Sequence, residues 1–291
     1  MTDTSSIMDT IQAMHRQEAS AYHAGDYLNV HGPDQVAVNV DCRTKMAQWC
    51  YSVVDFCSFN RETVAIAMSN LDRFLMTPAG FQVLQDTQAF QLAAMTSLYS
   101  ATKIHEPEIM GVDLVSKLSR GQYTGDQIEA MEFTMLQALS WRVNPPTALA
   151  FVRKFIELIP AGTLEESVAE AAYDLSKFQS ELAVGDYNLV PIKASTVAYA
   201  SIINSLEGLA VDSRIIESLA YTIAAALQID ISSQEIREVQ NYLYQAISQQ
   251  SGEAVADAAP TSPRSKAQQS QQSCLKGPAE ASPRTVEAMV M

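Results

Sequence analysis

The residue types that most often carry out chemistry are sparse in this sequence and are not grouped. The histidines form no cluster, and no two cysteines have the two-residue spacing of a zinc site. These residues are His15, His23, His31, His105, Cys42, Cys50, Cys57 and Cys274. There is also no glycine-rich phosphate loop, HExxH motif or nucleophile elbow. We therefore predict no catalytic residue, no metal site and no cofactor, and we interpret the protein as a non-enzyme.

The cysteines and the N-terminus indicate a reducing compartment. Cys50 and Cys57 are seven residues apart on one helix face, as expected for buried thiols. Residues 1–9 lack the basic start and apolar run of a signal peptide. No uncharged apolar run reaches the roughly 18 residues that a membrane span needs. We expect a soluble intracellular protein of the nucleus or cytoplasm that is not secreted.

The charge balance is strongly acidic. The formal net charge is −14, from 19 lysines and arginines against 33 aspartates and glutamates. Phosphate contacts need clustered basic side chains, which an acidic chain supplies poorly. Direct binding to nucleic acid is therefore not expected, nor is binding to a membrane.

The elements that would position functional residues are helices. Hydrophobic residues make up 47% of the chain, and glycine and proline occur only 11 times each. Apolar residues recur at threes and fours throughout. The pattern predicts an all-α fold in four parts: a segment 1–34 with one amphipathic helix at 7–28, five helices in 35–145, five more in 146–250, and a tail. The second five are expected at 147–159, 164–182, 191–207, 212–227 and 233–248.

Local signals mark the helix ends in the first unit. Asn60 is expected to cap a helix with Glu62 in its first turn, and Pro78 is expected to end that helix. Thr124 and Gln127 have the form of a capping box. Residues 251–291 are rich in Ser, Gln, Ala and Pro and cannot bury enough apolar surface to offset the entropy of ordering. We predict that they form a disordered tail.

Seven short segments follow one another in a distinctive order between residues 41 and 147. They are Asp41-Cys42-Arg43-Thr44-Lys45-Met46-Ala47-Gln48-Trp49, Glu62-Thr63-Val64, Asn70-Leu71-Asp72-Arg73-Phe74-Leu75, Phe90-Gln91-Leu92, Ser100-Ala101-Thr102-Lys103-Ile104-His105-Glu106, Met131-Glu132 and Leu139-Ser140-Trp141. In order and spacing they resemble a cyclin box, with a weak leaning toward D-type-like cyclins. The second half resembles the more variable C-terminal cyclin fold. The resemblance implies two tandem five-helix cyclin-box domains.

The resemblance also implies roles for particular residues. Arg43 and Asp72 would form a buried ion pair between the first two box helices, since a charge on an apolar helix is tolerated only when it is paired. Lys103 and Glu132 would engage a cyclin-dependent protein kinase. Apolar contacts to the kinase would come from Ile104, Leu136, Trp141 and Val143. The implied function is to bind and allosterically activate that kinase in cell-cycle control.

A second surface is implied on the first box helix, where cyclins dock substrates or inhibitors. The matching residues are Met46, Trp49, Phe90 and Gln91. Cys42, Lys45 and Ser52 depart from the family pattern. Ser52 replaces an acidic residue, which removes the partner for a basic docking peptide, so the usual mode of docking is not expected.

Two further interpretations follow from the sequence. Ser262 and Ser282 each precede a proline and then an arginine, as in sites for proline-directed kinases, so we predict that both are phosphorylated. An alternative function is that of a cyclin-fold helical adaptor in transcription that works without a cell-cycle kinase. Modules of that kind should be basic, whereas this chain is acidic. Co-purification of a kinase would favour the first function, and of polymerase or promoter DNA the second.

Overall fold

A computed structural model describes residues 4–30 and 36–257 of the chain. Across these residues the regular structure is helical, which confirms the all-α prediction. The helices are α1 (Thr4–Ala21), α2 (Tyr27–Val30), α3 (Val40–Phe56), α4 (Glu62–Leu75), α5 (Pro78–Val83), α6 (Thr87–His105), α7 (Val112–Leu118), α8 (Gly125–Ala138), α9 (Ala148–Glu157), α10 (Glu166–Gly185), α11 (Ala194–Gly208), α12 (Ser213–Leu227) and α13 (Gln234–Asp257), with one 3-10 turn at Tyr187–Leu189.

Two large apolar cores organise these helices. The first is built from α2 to α8, with Leu71, Phe74 and Leu98 fully buried in it. The second is built from α9 to α13 around Phe151 and Ile202. The division into two domains at residue 145 stays a prediction. A smaller apolar cluster, containing Leu243 of α13, packs beside the second core.

The N-terminal helix does not stand alone. Ile7 and Ile11 of α1 are buried in the second core, so this helix packs on the far half of the chain. The single helix predicted at 7–28 is wrong: the chain instead forms α1 and, after a break at 22–26, the short α2. Asp26 accounts for the restart, because its carboxylate accepts the backbone N–H of Asn29 at 3.3 Å.

Pro78 follows the end of α4, as predicted, and it also begins the next helix, α5. Thr77 accepts the N–H of Gly80 at 3.2 Å, and Pro78 occupies the first turn of α5, where its missing N–H costs nothing. Only glycine fits at position 80, because a Cβ there would lie 2.0 Å from the carbonyl oxygen of Phe74. The capping box at Thr124 is confirmed, since both of its hydrogen bonds with Gln127 are present.

The last helix is longer than the sequence predicted. The expected tail begins at residue 251, but α13 continues to Asp257. The remaining positions of that tail, with Ser262 and Ser282, lie outside the described residues, as does the expected break at 31–34. No helix among the described ranges is long and apolar enough to cross a membrane.

Candidate functional site

Arg43 of α3 and Asp72 of α4 form a buried, two-pronged ion pair. Nε of Arg43 donates to Oδ1 of Asp72 and Nη2 donates to Oδ2, each at 2.8 Å. The two residues are only 2% and 4% exposed. Tyr27 of α2 adds a third hydrogen bond, donating its hydroxyl to Asp72 at 2.9 Å. The carboxylate is therefore fully engaged away from water.

This ion pair also connects the two halves of the chain. Nη1 of Arg43 donates to the carbonyl oxygen of Val184, at the end of α10, at 2.9 Å. The rings of Tyr27 and Tyr187 meet edge to face at 5.3 Å. The Tyr187 hydroxyl donates to Asp26 and accepts the N–H of Leu28, both at 2.8 Å. These contacts fix the second half against the first.

The electrostatics agree with a charged pair held in place. Burial lowers the pKa of Arg43, but the charge and hydrogen bonds of Asp72 outweigh that effect and raise it above the ordinary value. Burial, followed by the charge of Asp72, raises the pKa of Tyr27 well above its usual range. The guanidinium therefore stays charged and the phenol neutral.

Lys103 and Glu132 lie together at one edge of the first core. Nζ of Lys103, in the last turn of α6, is 2.9 and 3.1 Å from the carboxylate oxygens of Glu132 on α8. The hydroxyl of Ser100 donates to the same carboxylate at 2.9 Å, and Lys103 lies 4.8 Å from the centre of the Tyr99 ring. Burial lowers the pKa of Lys103, but Glu132 more than offsets this and raises it. The pair is thus made within the chain.

Large apolar side chains are exposed on the same two helices and on the segments that follow them. Ile104 is exposed next to Lys103, and Trp141 is 64% exposed just beyond α8. Leu136 and Val143 are half-buried, and Val143 packs against the first core. The backbone at Trp141 is left-handed, with φ of 61°. We refer to Lys103, Ile104, Glu132, Leu136, Trp141 and Val143 as the α6–α8 surface.

Sequence reasoning missed two exposed apolar residues near this surface. Phe133 adjoins Glu132 on α8 and is 54% exposed, and Ile109 is exposed in the segment after α6. Phe133 does not belong to the buried stripe of Ile128, Met135 and Leu139. An aromatic residue on the polar side of α8 was therefore the sequence signal that could have identified it.

The residues predicted for a docking cleft do not form one uniform surface. Met46 and Trp49 of α3 are half-buried against the first core. Phe90 is buried within that core, so the structure corrects its expected place on the surface. Gln91 is half-buried and accepts a hydrogen bond from the Tyr123 hydroxyl at 3.3 Å.

A polar junction joins the start of α4 to α9. Glu62 accepts from Arg153 of α9 at 2.5 Å and from the Thr147 hydroxyl. Nearby, Nε2 of His105 is buried without a hydrogen-bond partner among the described residues. Burial lowers the pKa of His105 below 6.5, against the opposing charges of Glu62 and Glu106. No local pattern in the sequence predicts this junction.

A second polar contact fixes α1. Glu18 of α1 is 2% exposed, and its carboxylate accepts the N–H of Ser195 at 3.0 Å and the Ser195 hydroxyl at 2.6 Å. Ser195 lies in the first turn of α11, where backbone N–H groups lack helical partners. Glu18 therefore supplies the cap of a helix 177 residues away.

The described ranges contain no group of three or more His, Cys, Asp or Glu side chains arranged to hold a metal ion. The α6–α8 surface combines the fixed charges of Lys103 and Glu132 with exposed apolar side chains, and it is the candidate binding surface. That combination is typical of a protein–protein interface, which needs an apolar centre and a few charges that set register.

The fold resembles that of a solved viral cyclin from herpesvirus saimiri. That match covers 82% of this chain and 97% of the viral chain, with a TM-score of 0.59 and 15% sequence identity. At this identity the similarity describes the fold alone. The architecture is therefore that of a cyclin: helices packed around two successive cores.

The sequence comparisons identify the family. Residues 9–144 match the model of the cyclin N-terminal domain. Relatives include Cyclin-B1-1 of Oryza sativa subsp. japonica, 29% identical over 61% of this chain. G2/mitotic-specific cyclin-B of Drosophila melanogaster is 30% identical over 60% of it. The matched segments cover 37% and 31% of those relatives. This chain is a cyclin-box protein, which confirms the resemblance; the leaning toward D-type-like cyclins stays a prediction.

Proposed function

We propose that this chain binds a cyclin-dependent protein kinase through the α6–α8 surface and activates it allosterically in cell-cycle control. One observation carries the proposal: the Lys103–Glu132 pair is fixed at the edge of a rigid core, with Ile104 and Trp141 exposed beside it. Exposed apolar side chains around a few fixed charges favour a protein partner. The names of the relatives, which include mitotic cyclins, support the cell-cycle role.

The mechanism requires a rigid surface more than a reactive one. A kinase that alternates between inactive and active positions of its mobile helix is shifted toward the active one by a partner that binds only that state. The active position completes the Lys–Glu pair that orients ATP in the kinase. The cyclin-box chain supplies no catalytic group, and the Arg43–Asp72 ion pair serves by keeping its two halves in one arrangement.

A charge exchange tests the proposal. In the Lys103→Glu, Glu132→Lys double variant the two groups can still pair with each other, so the fold is expected to survive. The charges presented to the kinase are reversed, and disrupting a charge contact within an interface costs about 2–5 kcal/mol. Binding should weaken by at least roughly 30-fold, since 1.4 kcal/mol is tenfold. The measurements are kinase co-precipitation and activity, with circular dichroism as the folding control.

The matched control is the same exchange at Lys154 and Glu157 of α9, which are paired at 2.8 Å in the other half of the chain. That exchange should leave kinase binding unchanged. If the folded Lys103/Glu132 double variant activates the kinase as well as the unaltered chain does, the proposed surface is wrong. If the unaltered chain recovers polymerase or promoter DNA in place of a kinase, the adaptor function in transcription is the correct one.

The same proposal extends to substrates, inhibitors and location. Met46 and Trp49 remain the candidate contacts for a substrate or inhibitor, supported by their partial exposure on α3. Because position 52 is a serine and not an acidic residue, we expect an apolar docking segment to be preferred over a basic one. We place the protein in the nucleus or the cytoplasm.

A further inference from the structure

Arg73 is a buried cation with only neutral hydrogen-bond acceptors. It lies in the last turn of α4 and is 7% exposed. Its guanidinium donates to the side-chain oxygen of Asn70 at 3.0 Å and to the carbonyl oxygen of Arg142 at 2.8 Å. The Tyr22 ring covers it at 4.6 Å. Among residues 4–30 and 36–248, whose side chains are described, no carboxylate pairs with it.

A second cation adjoins the first. Arg142 lies four residues beyond the end of α8 at Ala138, and its side chain is exposed and makes no ion pair in the described part of the chain. Burial lowers the pKa of Arg73, and the positive charge of Arg142 lowers it further. Two cations are thus held together without an anion, an arrangement that costs free energy unless something compensates it.

Among the buried and half-buried arginines of the described residues, Arg73 alone has no carboxylate partner. The equally buried Arg43 has a two-pronged bond to Asp72, Arg61 pairs with Asp55 and Glu181, and Arg153 pairs with Glu62. The whole chain carries 33 acidic residues. In so acidic a protein, two adjacent arginines without a carboxylate indicate a site that is completed from outside.

The position of the pair indicates what completes it. Arg142 lies between Trp141 and Val143, which both belong to the α6–α8 surface. We propose that Arg73 and Arg142 receive an anionic group of the bound kinase, a carboxylate or a phosphoryl group, at the edge of that surface. Arginine forks suit both groups, because their paired oxygens accept two parallel N–H bonds. The kinase as the source of the anion rests on the proposed function.

The test begins with Arg142→Gln, because Arg142 is exposed and its substitution should not disturb the fold. Binding of the co-purified kinase to the Arg142→Gln variant is compared with its binding to the Arg16→Gln variant. Arg16 is an exposed arginine on α1. A hydrogen bond to a charged group contributes about 1.5–3 kcal/mol, so Arg142→Gln should weaken binding by about tenfold or more. The Arg16 control should bind normally. Equal binding by both variants would overturn the anion site while leaving the proposed function intact.

The source of the anion is settled by repeating the comparison with phosphatase-treated kinase. If the effect of Arg142→Gln disappears after treatment, the group is a phosphoryl group; if it persists, the group is a carboxylate. Either result supports the site. Failure of the unaltered chain to bind any kinase would instead reject the proposed function.

A measurement without kinase distinguishes a site for an external anion from a site that a carboxylate of the same chain occupies. Inorganic phosphate at constant ionic strength should raise the melting temperature of the unaltered protein and not that of Arg142→Gln. Asp34 is an acidic residue outside the described ranges. The Asp34→Asn variant is therefore the control for an anion that the chain itself supplies. If phosphate stabilises only the Asp34→Asn variant, the chain supplies its own carboxylate and the proposal is overturned.

Discussion

Removal of Arg43 is the sharpest test of how the two halves are held together. The Arg43→Ala variant leaves the Asp72 carboxylate buried with one hydrogen bond, from Tyr27, and deprives the Val184 carbonyl of its donor. Breaking a buried ion pair by removing one partner costs about 3–5 kcal/mol. We expect the free energy of unfolding to fall by that amount, which is a large part of the roughly 5–15 kcal/mol available to a folded protein.

Urea denaturation followed by circular dichroism provides the assay. With a slope of about 2.5 kcal/mol per molar urea, the loss corresponds to a midpoint lower by roughly 1–2 M. The matched control is Lys45→Ala, also on α3, because Lys45 pairs with Asp41 where both side chains are exposed to water. Its midpoint should stay within error of the unaltered protein.

A double variant tests the reasoning further. Asp72→Ala in the Arg43→Ala background removes the stranded carboxylate, so it should recover part of the lost stability. The reasoning is refuted if Arg43→Ala moves the urea midpoint no further than Lys45→Ala does. It is also refuted if removing Asp72 as well makes the protein less stable still.

Three other predictions concern the Glu18 cap, the titration of His105 and the phosphorylation of two serines. Glu18→Ala leaves the N–H and hydroxyl of Ser195 without an acceptor and should lower the free energy of unfolding by about 1–3 kcal/mol. The lowered pKa of His105 means that the unfolded chain takes up this proton first, so stability should fall as pH drops below about 6.5, and His105→Gln should flatten that fall. Mass spectrometry of the active kinase complex should find phosphate on Ser262 and Ser282.

Each of these expectations can fail in a specific way. For Glu18, an unfolding curve unchanged from that of Arg16→Ala on the same helix would mean that the cap contributes nothing. For His105, identical pH profiles with and without the imidazole between pH 5 and 7 would assign the effect to other groups. For the serines, an active complex without phosphate at either position would remove the proposed role of these Ser-Pro sites.

Local signals in the sequence were enough to predict most of the helices. Apolar periodicity placed the start of each of the five helices after residue 147 to within three residues, and the ends of the first four of them equally closely. The Thr124 capping box was readable because both partners lie within one turn. The pairing of Arg43 with Asp72 came from the family resemblance, since 29 residues separate the two positions.

The errors arose where tertiary contacts or dual-purpose residues decide the structure. Pro78 ends one helix and begins the next, because proline suits a first turn as well as a stop. The bond between Glu18 and Ser195 joins positions too distant for any local pattern. The unpaired charge of Arg73 could not be predicted from the sequence either, because it depends on which acidic residues lie far from Arg73 in the folded chain.

The placement of α1 in the second core has a consequence for biosynthesis. Ile7 and Ile11 are made well before the last of their packing partners, which extend to α12, a helix that ends at Leu227. At about 5–20 residues per second, translation needs roughly 10–40 s to supply the intervening 200 or so residues. During that interval the apolar face of α1 lacks its native partners on α12. Completion of the second core therefore has to await the synthesis of α12, and α1 is exposed to chaperones in the meantime.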